Sequence, residues 1–94
     1  MRARPIKRYV ITPHASFEMR RRGVDEETVQ RVLATPGQRI RIRPGRDVLQ
    51  SKVMAGDPPK TSLVRIFVDV DRRPAEVVTV YRTSKVAKYW EEGS

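Results

Sequence analysis

The spacing of apolar and polar residues predicts the elements at the start of the chain. Residues 7–11 are β-branched and aromatic enough to form a strand, and they end at Thr12 and Pro13. Threonine followed by proline is a typical helix start, because proline is tolerated in the first turn. We therefore predict a short helix from Pro13 to about Arg22, with Gly23 as its left-handed cap.

A second helix is predicted directly after this cap. Asp25 is a good N-cap residue, and the acidic residues that follow it favour the positive end of the helix dipole. Val29, Val32 and Leu33 recur at the spacing of one helical face, which would pack against a core. The Thr-Pro-Gly run at residues 35–37 ends the helix, so the sequence predicts two short antiparallel helices.

Beyond the second helix the apolar period changes to two, which indicates strands. Residues 39–43 alternate strictly, and this pattern puts three guanidinium groups on one strand face, those of Arg39, Arg41 and Arg43. Pro44 and Gly45 form a turn. Further strands are predicted at residues 48–54, 63–70 and 77–81, separated by a loop at 55–60 and a turn at 71–74.

The predicted fold class is α+β, as one domain over residues 1–94. Two N-terminal helices pack on a curved antiparallel sheet of four to five strands, and a short C-terminal helix, capped by Thr83 and Ser84, runs through Trp90. The helices lie on one sheet face, which carries an aliphatic stripe formed by Val64, Ile66, Val68 and Val70. The other face would stay open to solvent or ligand.

Composition adds a strong positive charge to this picture. Twenty Lys and Arg against eleven Asp and Glu leave a net charge of +9, with a pI near 10.8. Residues 1–46 carry twelve basic and four acidic groups, whereas residues 47–94 carry eight and seven. Fifteen of the cations are arginine, whose planar fork binds phosphate in a bidentate manner. The charge indicates a polyanionic partner, and RNA is the one we favour.

Composition also limits the chemistry. The sequence has no cysteine and a single histidine, His14, so neither a disulfide framework nor an ordinary zinc site is expected, and we predict no metal or cofactor. No apolar run approaches the roughly 18 residues that span a bilayer, so we expect a cytoplasmic protein without a membrane partner. Phosphate-binding glycine loops, paired catalytic carboxylates and nucleophile elbows are absent from the sequence, which argues against nucleotide hydrolases, glycosidases and serine hydrolases.

Short motifs in the sequence resemble a known family. They are Pro13-His14-Ala15, Met19, Arg22-Gly23-Val24, Gly45-Arg46 and the stretch from Val78 to Lys85. They are similar to those of an uncharacterised bacterial domain-of-unknown-function family related to the BrnT and RelE toxins, and the resemblance covers about Ile11 to Trp90. It implies a RelE-like fold in a superfamily that includes metal-independent endoribonucleases, which cut mRNA and are neutralised by an antitoxin. Many members have no demonstrated activity.

RNA cleavage without a metal needs a base for the 2′-hydroxyl proton, cations for the charge on phosphorus and an acid for the leaving oxygen. Arg65 has the opposite pleat parity to the aliphatic stripe, so it faces the open side of the sheet. Tyr81, Arg82 and Lys85 cluster where the last strand meets the last helix, whose free N–H groups favour a phosphate. His14 completes the predicted catalytic set. Each of these residues alone is equally explained as an ion-pair, packing or capping residue.

The arginine row of the second predicted strand is expected to bind RNA. Three like charges on one strand face repel each other unless a polyanion neutralises them. The predicted nucleic-acid-binding residues are Arg39, Arg41, Arg43, Arg46, Lys52 and Arg22. Two alternatives to RNA binding remain for this row of arginines. Cations also protect an exposed sheet edge from pairing with another sheet, and an acidic antitoxin would neutralise the three arginines equally well.

Three functions remain open at this point. The first is a metal-independent endoribonuclease of a type II toxin–antitoxin system, acting on mRNA that is free or on the ribosome. The second is a non-catalytic RNA- or ribosome-binding module of the same fold. The third is a protein-binding partner of an acidic antitoxin-like peptide. Growth arrest, salt-dependent RNA binding and co-purification of an acidic protein discriminate between them.

Overall fold

Three helices and one five-stranded sheet make up the protein in a computed structural model, which describes residues 3–92. The strands are β1 (Tyr9–Ile11), β2 (Gln38–Arg43), β3 (Arg46–Ala55), β4 (Lys60–Asp69) and β5 (Ala75–Thr83). The helices are α1 (Pro13–Arg22), α2 (Glu26–Ala34) and α3 (Val86–Tyr89). No helix within the described residues is long and apolar enough to cross a membrane.

Local signals place the two longer helices where the sequence predicts them. Thr12 caps α1, since its Oγ1 accepts a hydrogen bond from the Ala15 N–H at 3.2 Å. The same hydroxyl donates to the Val77 carbonyl at 2.9 Å, which ties the helix start to β5. The predicted caps are confirmed, with Gly23 at φ 66° after α1 and Asp25 before α2.

The sheet has the strand order β1-β5-β4-β3-β2 and is mixed. The prediction of a purely antiparallel sheet is wrong, because β1 pairs parallel to β5, with Tyr9 opposite Ala75. Strands β2 to β5 are joined by tight turns, which force neighbouring strands to run antiparallel. The two-helix connection after β1 imposes no such constraint, so β1 joins the far edge of the sheet in the parallel sense.

One face of the sheet, the helix-side face, packs against α1 and α2. The predicted aliphatic stripe is confirmed there, since Val64, Ile66 and Val68 are at most 1% exposed and Val70 is partly buried at the margin. The helices supply the opposing apolar side chains of Ala15, Met19, Val29, Val32 and Leu33. This core fixes the sheet, and with it the positions of the side chains on the other face.

The third helix does not join the other two. Residues 86–92, the C-terminal segment, cross the opposite side of the sheet, which we call the open face. Gln50 on that face donates a hydrogen bond to the Tyr89 carbonyl at 3.1 Å. The prediction that all helices lie on one face is therefore wrong. The C-terminal segment lies on the open face because the rings of Tyr89 and Trp90 pack on cationic and aromatic side chains there.

The start of α3 also differs from the prediction. The helix begins at Val86, and Lys85 in its cap position makes no side-chain hydrogen bond. Thr83 Oγ1 instead accepts a hydrogen bond from the Lys85 N–H at 3.1 Å, which forms a turn before the helix. Because α3 has only four residues, its N-terminus lacks the aligned dipoles that favour an anion. We therefore place no phosphate at that helix end.

Candidate nucleic-acid interface

A row of polar side chains crosses four strands of the open face. The register places Gln38 of β2 opposite Gln50 of β3, and Gln50 opposite Arg65 of β4. Arg65 in turn lies opposite Tyr81 of β5. Residues paired in this way project from the same face of a sheet. The polar row therefore runs from the β2 edge of the sheet to the β5 side.

Hydrogen bonds connect the members of this polar row. Gln50 Nε2 donates to Gln38 Oε1 at 2.8 Å, and Gln50 Oε1 accepts from Arg65 Nε at 2.8 Å. Arg65 Nη1 donates to the Tyr81 hydroxyl at 2.6 Å. Both ends of the buried Gln50 amide are thus satisfied, which explains why an apolar strand centre accommodates it.

Arg65 is a buried cation without an acidic partner. It is 8% exposed, and it forms no ion pair with a carboxylate of residues 3–92. Three aromatic rings surround its guanidinium carbon, with centroids at 4.4 Å for Tyr89, 5.3 Å for Phe67 and 5.6 Å for Tyr81. The negative faces of such rings stabilise a cation without neutralising it.

This environment leaves the Arg65 charge uncompensated. Burying a lone charge is unfavourable, so its retention at the centre of a sheet calls for an explanation. Its hydrogen-bond partners, Gln50 and Tyr81, are neutral, so they fix the position of the guanidinium without cancelling its field. Within the low-dielectric face that field is weakly screened, and it favours an anion at the surface above Arg65.

Two tyrosines flank Arg65. The rings of Tyr81 and Tyr89 meet edge to face with centroids 6.2 Å apart, and Tyr81 also stacks on Phe67 at 6.0 Å. The pKa of Tyr89 lies below its ordinary value of 10.0, first because the Tyr81 hydroxyl hydrogen-bonds the phenolate and then because of the nearby Lys88 and Arg65 cations. Tyr89 therefore releases its proton more readily than an ordinary phenol.

Further cations contact the rings of the open face. The guanidinium carbon of Arg22, at the end of α1, lies 5.7 Å from the Tyr81 ring centroid, and Lys52 Nζ lies 4.3 Å from that of Trp90. We call the whole set the cation–aromatic cluster, formed by Arg22, Lys52, Arg65, Lys88, Phe67, Tyr81, Tyr89 and Trp90. It contains four of the six aromatic residues of the chain, which are two Phe, three Tyr and one Trp.

The C-terminal segment covers this cluster and is tied to the polar row. The Gln38 side chain donates to the Glu91 carbonyl at 2.7 Å and accepts from the Glu91 N–H at 3.1 Å, as a neighbouring strand would. Trp90 packs against Gly37, where an added Cβ would lie 2.9 Å from the indole ring. The low exposure of Arg65 is in part the result of this cover.

The predicted arginine row is not a free row of charges. Arg39 and Arg41 lie on the helix-side face, because Arg39 is opposite the core residue Leu49. Both donate to the carboxylate of Asp47, at 2.7 Å and 2.6 Å. A register shift after Arg41 breaks the alternation before Arg43. The prediction of three guanidinium groups on one strand face is wrong, because the register shift separates Arg43 from the other two.

The carboxylate of Asp47 allows Arg39 and Arg41 to lie side by side on one strand face. Asp47 is 3% exposed, and burial by itself raises the pKa of its carboxyl. Hydrogen bonds from Arg39 and Arg41 outweigh this desolvation and hold the pKa below its ordinary value of 3.8. The ionised carboxylate relieves the repulsion between the two cations, which removes the electrostatic reason for predicting an RNA contact at this row.

Two other predicted cations are also separated from Arg65. Arg46 lies on the open face but pairs with Asp69, with Nε and Oδ1 2.6 Å apart. Arg82 is opposite Val64 of the core and therefore projects from the helix-side face, where it is exposed. The predicted cluster of Arg82 with Tyr81 is wrong, because neighbouring residues of a strand point to opposite faces.

His14 and Lys85 are exposed at the periphery. His14 lies in the first turn of α1, eight residues and about 12 Å along the axis from the end of that helix at which Arg22 reaches the cluster. Lys85 precedes α3. Of the predicted site residues, four come together on the open face, namely Arg22, Lys52, Arg65 and Tyr81.

Several residues of the interface were not predicted from the sequence. Gln50 occupies the end of a fully buried stretch of β3, and a polar residue that directly follows Val48 and Leu49 is a signal that a buried partner faces it. Tyr89 and Trp90 show the pattern of a short helix packed on a core, and this pattern does not distinguish an apolar surface from a cationic one beneath them.

Fold and site together define a small basic α+β domain with a cation–aromatic face. The chain belongs to the family described as domain of unknown function DUF4258, whose model matches residues 11–86. No curated protein and no solved structure matches the chain. The matched range contains the polar row with Arg65 and Tyr81 and ends before Tyr89 and Trp90. Kinship with the BrnT and RelE toxins remains a prediction.

Proposed function

We propose that the protein is a RelE-like module that binds single-stranded RNA on its open face. The observation that carries this proposal is the Arg65 cation, buried among aromatic rings and held only by neutral hydrogen-bond partners. Proteins hold single strands by stacking bases on aromatic rings while cations contact the phosphates. The net charge of +9 adds a general attraction to RNA.

The rings of the cluster favour unpaired bases over a duplex. Phe67, Tyr81, Tyr89 and Trp90 are all half-buried, so none of the four residues is closed off from solvent. Bases of a duplex are already stacked and cannot lie on such rings, whereas unpaired bases can. Stacking contributes about 1–3 kcal/mol per base and depends little on base identity. We therefore expect binding with weak sequence preference.

Contact between RNA and Arg65 requires the C-terminal segment to move. Gln38 and Gln50 hold the segment through three hydrogen bonds, each contributing about 1 kcal/mol net. Trp90 adds its packing on Gly37. A phosphate on Arg65 and one or two stacked bases would offset a loss of this size. We expect the segment to be displaced, at least in part, when RNA binds.

Fluorescence anisotropy with a labelled RNA of about 12 nucleotides tests the proposal. Arg65→Gln should weaken binding by about tenfold or more, because it removes a charged phosphate contact. Arg20→Gln is the matched control, since Arg20 is exposed, is not among the cations that contact the rings of the cluster, and loses the same charge. Arg65→Lys keeps the charge without the planar fork, so it should bind with intermediate affinity. Equal affinities of Arg65→Gln and the control would contradict the proposal.

Metal-independent cleavage of the bound RNA is the second candidate function. The position of Tyr89 favours it, because its ring centroid lies 4.4 Å from the Arg65 guanidinium carbon and its lowered pKa makes it a better candidate than an ordinary tyrosine for accepting the 2′-hydroxyl proton. Arg65 would stabilise the additional negative charge on phosphorus, and the Tyr81 hydroxyl would protonate the leaving 5′-oxygen. The resemblance to RelE toxins implies this chemistry on mRNA, with an acidic antitoxin as the neutralising partner.

Incubation of RNA with the protein in the presence of a chelator tests cleavage. Tyr89→Phe should lower the cleavage rate by about 10²-fold or more while leaving RNA affinity within about twofold, since it removes only the proton acceptor. Expression of the wild type should arrest growth, and Arg65→Gln should relieve the arrest. RNA that stays intact while bound rejects cleavage and retains the binding function.

A further inference from the structure

A second basic site lies at the end of the sheet where β1 meets β5. A pocket of about 930 Å³ there is bordered by four cations, Lys7, Arg8, Arg72 and Arg73, and by Tyr9, and none of the described residues that line it is acidic. The two pairs of cations are 64 positions apart in the sequence, counted from 8 to 72. The parallel pairing of β1 with β5, which sets Tyr9 opposite Ala75, brings them together.

The two carboxylates that precede Arg72 in sequence, those of Asp69 and Asp71, are directed elsewhere. Asp71 precedes Arg72 but lies against Gly45 of the β2–β3 turn, where an added Cβ would be 2.6 Å from its Oδ2. Asp69 pairs with Arg46. None of the four pocket cations forms an ion pair within the described part of the chain. The fold thus separates the charges of the β4–β5 turn, with cations at the pocket and carboxylates at the neighbouring hairpin.

Tyr9 adds a neutral donor to the pocket. It is half-buried, and its pKa is raised above 10.0 first by burial and then by the Glu26 carboxylate. Its hydroxyl therefore remains protonated at neutral pH. The pocket combines three guanidinium forks, one ammonium and one hydroxyl, each able to donate hydrogen bonds to a phosphate oxygen.

We propose that this pocket binds consecutive phosphate groups, either of a free polyphosphate or of an RNA backbone. Arginine forks bind phosphate oxygens in a bidentate manner, and four cations around one concavity match more than a single phosphate. The site is separate from Arg65, because β4 continues for four residues, or about 13 Å, beyond Arg65 before the turn that carries Arg72. The inference does not rest on the function proposed above.

Calorimetric titration of the full chain with inorganic tripolyphosphate at low salt tests the site. The double variants Arg72→Ala/Arg73→Ala and Lys7→Ala/Arg8→Ala should each weaken binding by about tenfold, because each removes two phosphate contacts. Arg20→Ala/Lys60→Ala removes the same charge from exposed positions elsewhere and should change affinity by about twofold or less. Absence of binding by the wild type, or equal weakening by the control, would overturn the inference.

Two further comparisons identify the source of the phosphates. Arg65→Gln should leave tripolyphosphate binding unchanged, which separates a failure of this site from a failure of the RNA-binding face. With single-stranded RNA, Arg72→Ala/Arg73→Ala should reduce the log–log salt slope by about 1.4 if backbone phosphates occupy the pocket, at about 0.7 per contact. An unchanged slope together with lost tripolyphosphate binding assigns the pocket to a free polyphosphate. A salt slope reduced equally by the control variant contradicts occupancy of the pocket by RNA.

Discussion

Asp47 pairs with Arg39 and Arg41 of β2, and removal of its charge gives a well-defined prediction for the stability of the protein. Its side chain is 4% exposed and accepts hydrogen bonds from Arg39 at 2.7 Å and from Arg41 at 2.6 Å. Asn has nearly the same shape as Asp, so Asp47→Asn removes the charge with little change in packing. The substitution leaves Arg39, whose side chain is 15% exposed, as a largely buried cation without a carboxylate.

The magnitude follows from the exposure of the two partners. Removing one partner of a buried ion pair destabilises a protein by about 3–5 kcal/mol. The Arg41 side chain is 60% exposed and can turn into solvent, so its contribution is only about 0–1 kcal/mol. We expect Asp47→Asn to lower the free energy of unfolding by about 3 kcal/mol, mostly through Arg39. For a domain of this size the loss corresponds to a decrease in Tm of roughly 12–24 °C.

Urea and thermal unfolding followed by circular dichroism measure this loss. Asp57→Asn in the exposed β3–β4 loop is the control and should stay within about 0.5 kcal/mol of the wild type. Because the pKa of Asp47 is lowered, its stabilisation is fully present above the ordinary value of 3.8 and is lost as the pH falls through the lower folded value. The two curves should therefore converge in acid. Equal stability of the variant and wild type at pH 7 would refute the pairing.

Three further substitutions test the open face. Gly37→Ala places a Cβ 2.9 Å from the indole of Trp90, so it should loosen the C-terminal segment. The fluorescence of this single tryptophan should shift to longer wavelength, and RNA should bind more tightly. Unchanged emission would contradict the contact between Gly37 and Trp90. Tyr89→Phe should remove, from the ultraviolet titration, a phenol that ionises below the ordinary pKa of 10.0, and an unaltered curve would oppose the lowered value. Lys52→Ala should lower stability by about 0.5–1 kcal/mol in urea unfolding through loss of its contact with Trp90, and no change would show the contact to be energetically neutral.

Local signals in the sequence were sufficient for most of the elements. Thr12 and Gly23 bound α1 as predicted, because capping depends on side-chain and backbone preferences within a few residues. The alternation of Val64, Ile66 and Val68 identified the core face of β4 for the same reason. The parallel pairing of β1 with β5 was not predictable in this way, since no local pattern specifies which edge a first strand joins.

The partners of the charged side chains could not be predicted from the sequence. Alternation placed Arg39 and Arg41 on one face, but only the register between β2 and β3 sets Asp47 against both. A single shift in that register then separates Arg43 from them. Conversely, Arg65 was placed on the open face from its parity alone, while the nearest of its three aromatic rings, Tyr89, belongs to a segment that returns across the sheet.

Photo-crosslinking of a 4-thiouridine RNA followed by mass spectrometry tests RNA binding by the open face most directly. The chain carries its own control, because Phe17 is 54% exposed and lies outside both the cation–aromatic cluster and the pocket that Tyr9 lines. We predict adducts on one or more of Phe67, Tyr81, Tyr89 and Trp90, which decrease in Arg65→Gln. Adducts confined to Tyr9 or Phe17, or unaffected by Arg65→Gln, would contradict RNA binding at the open face.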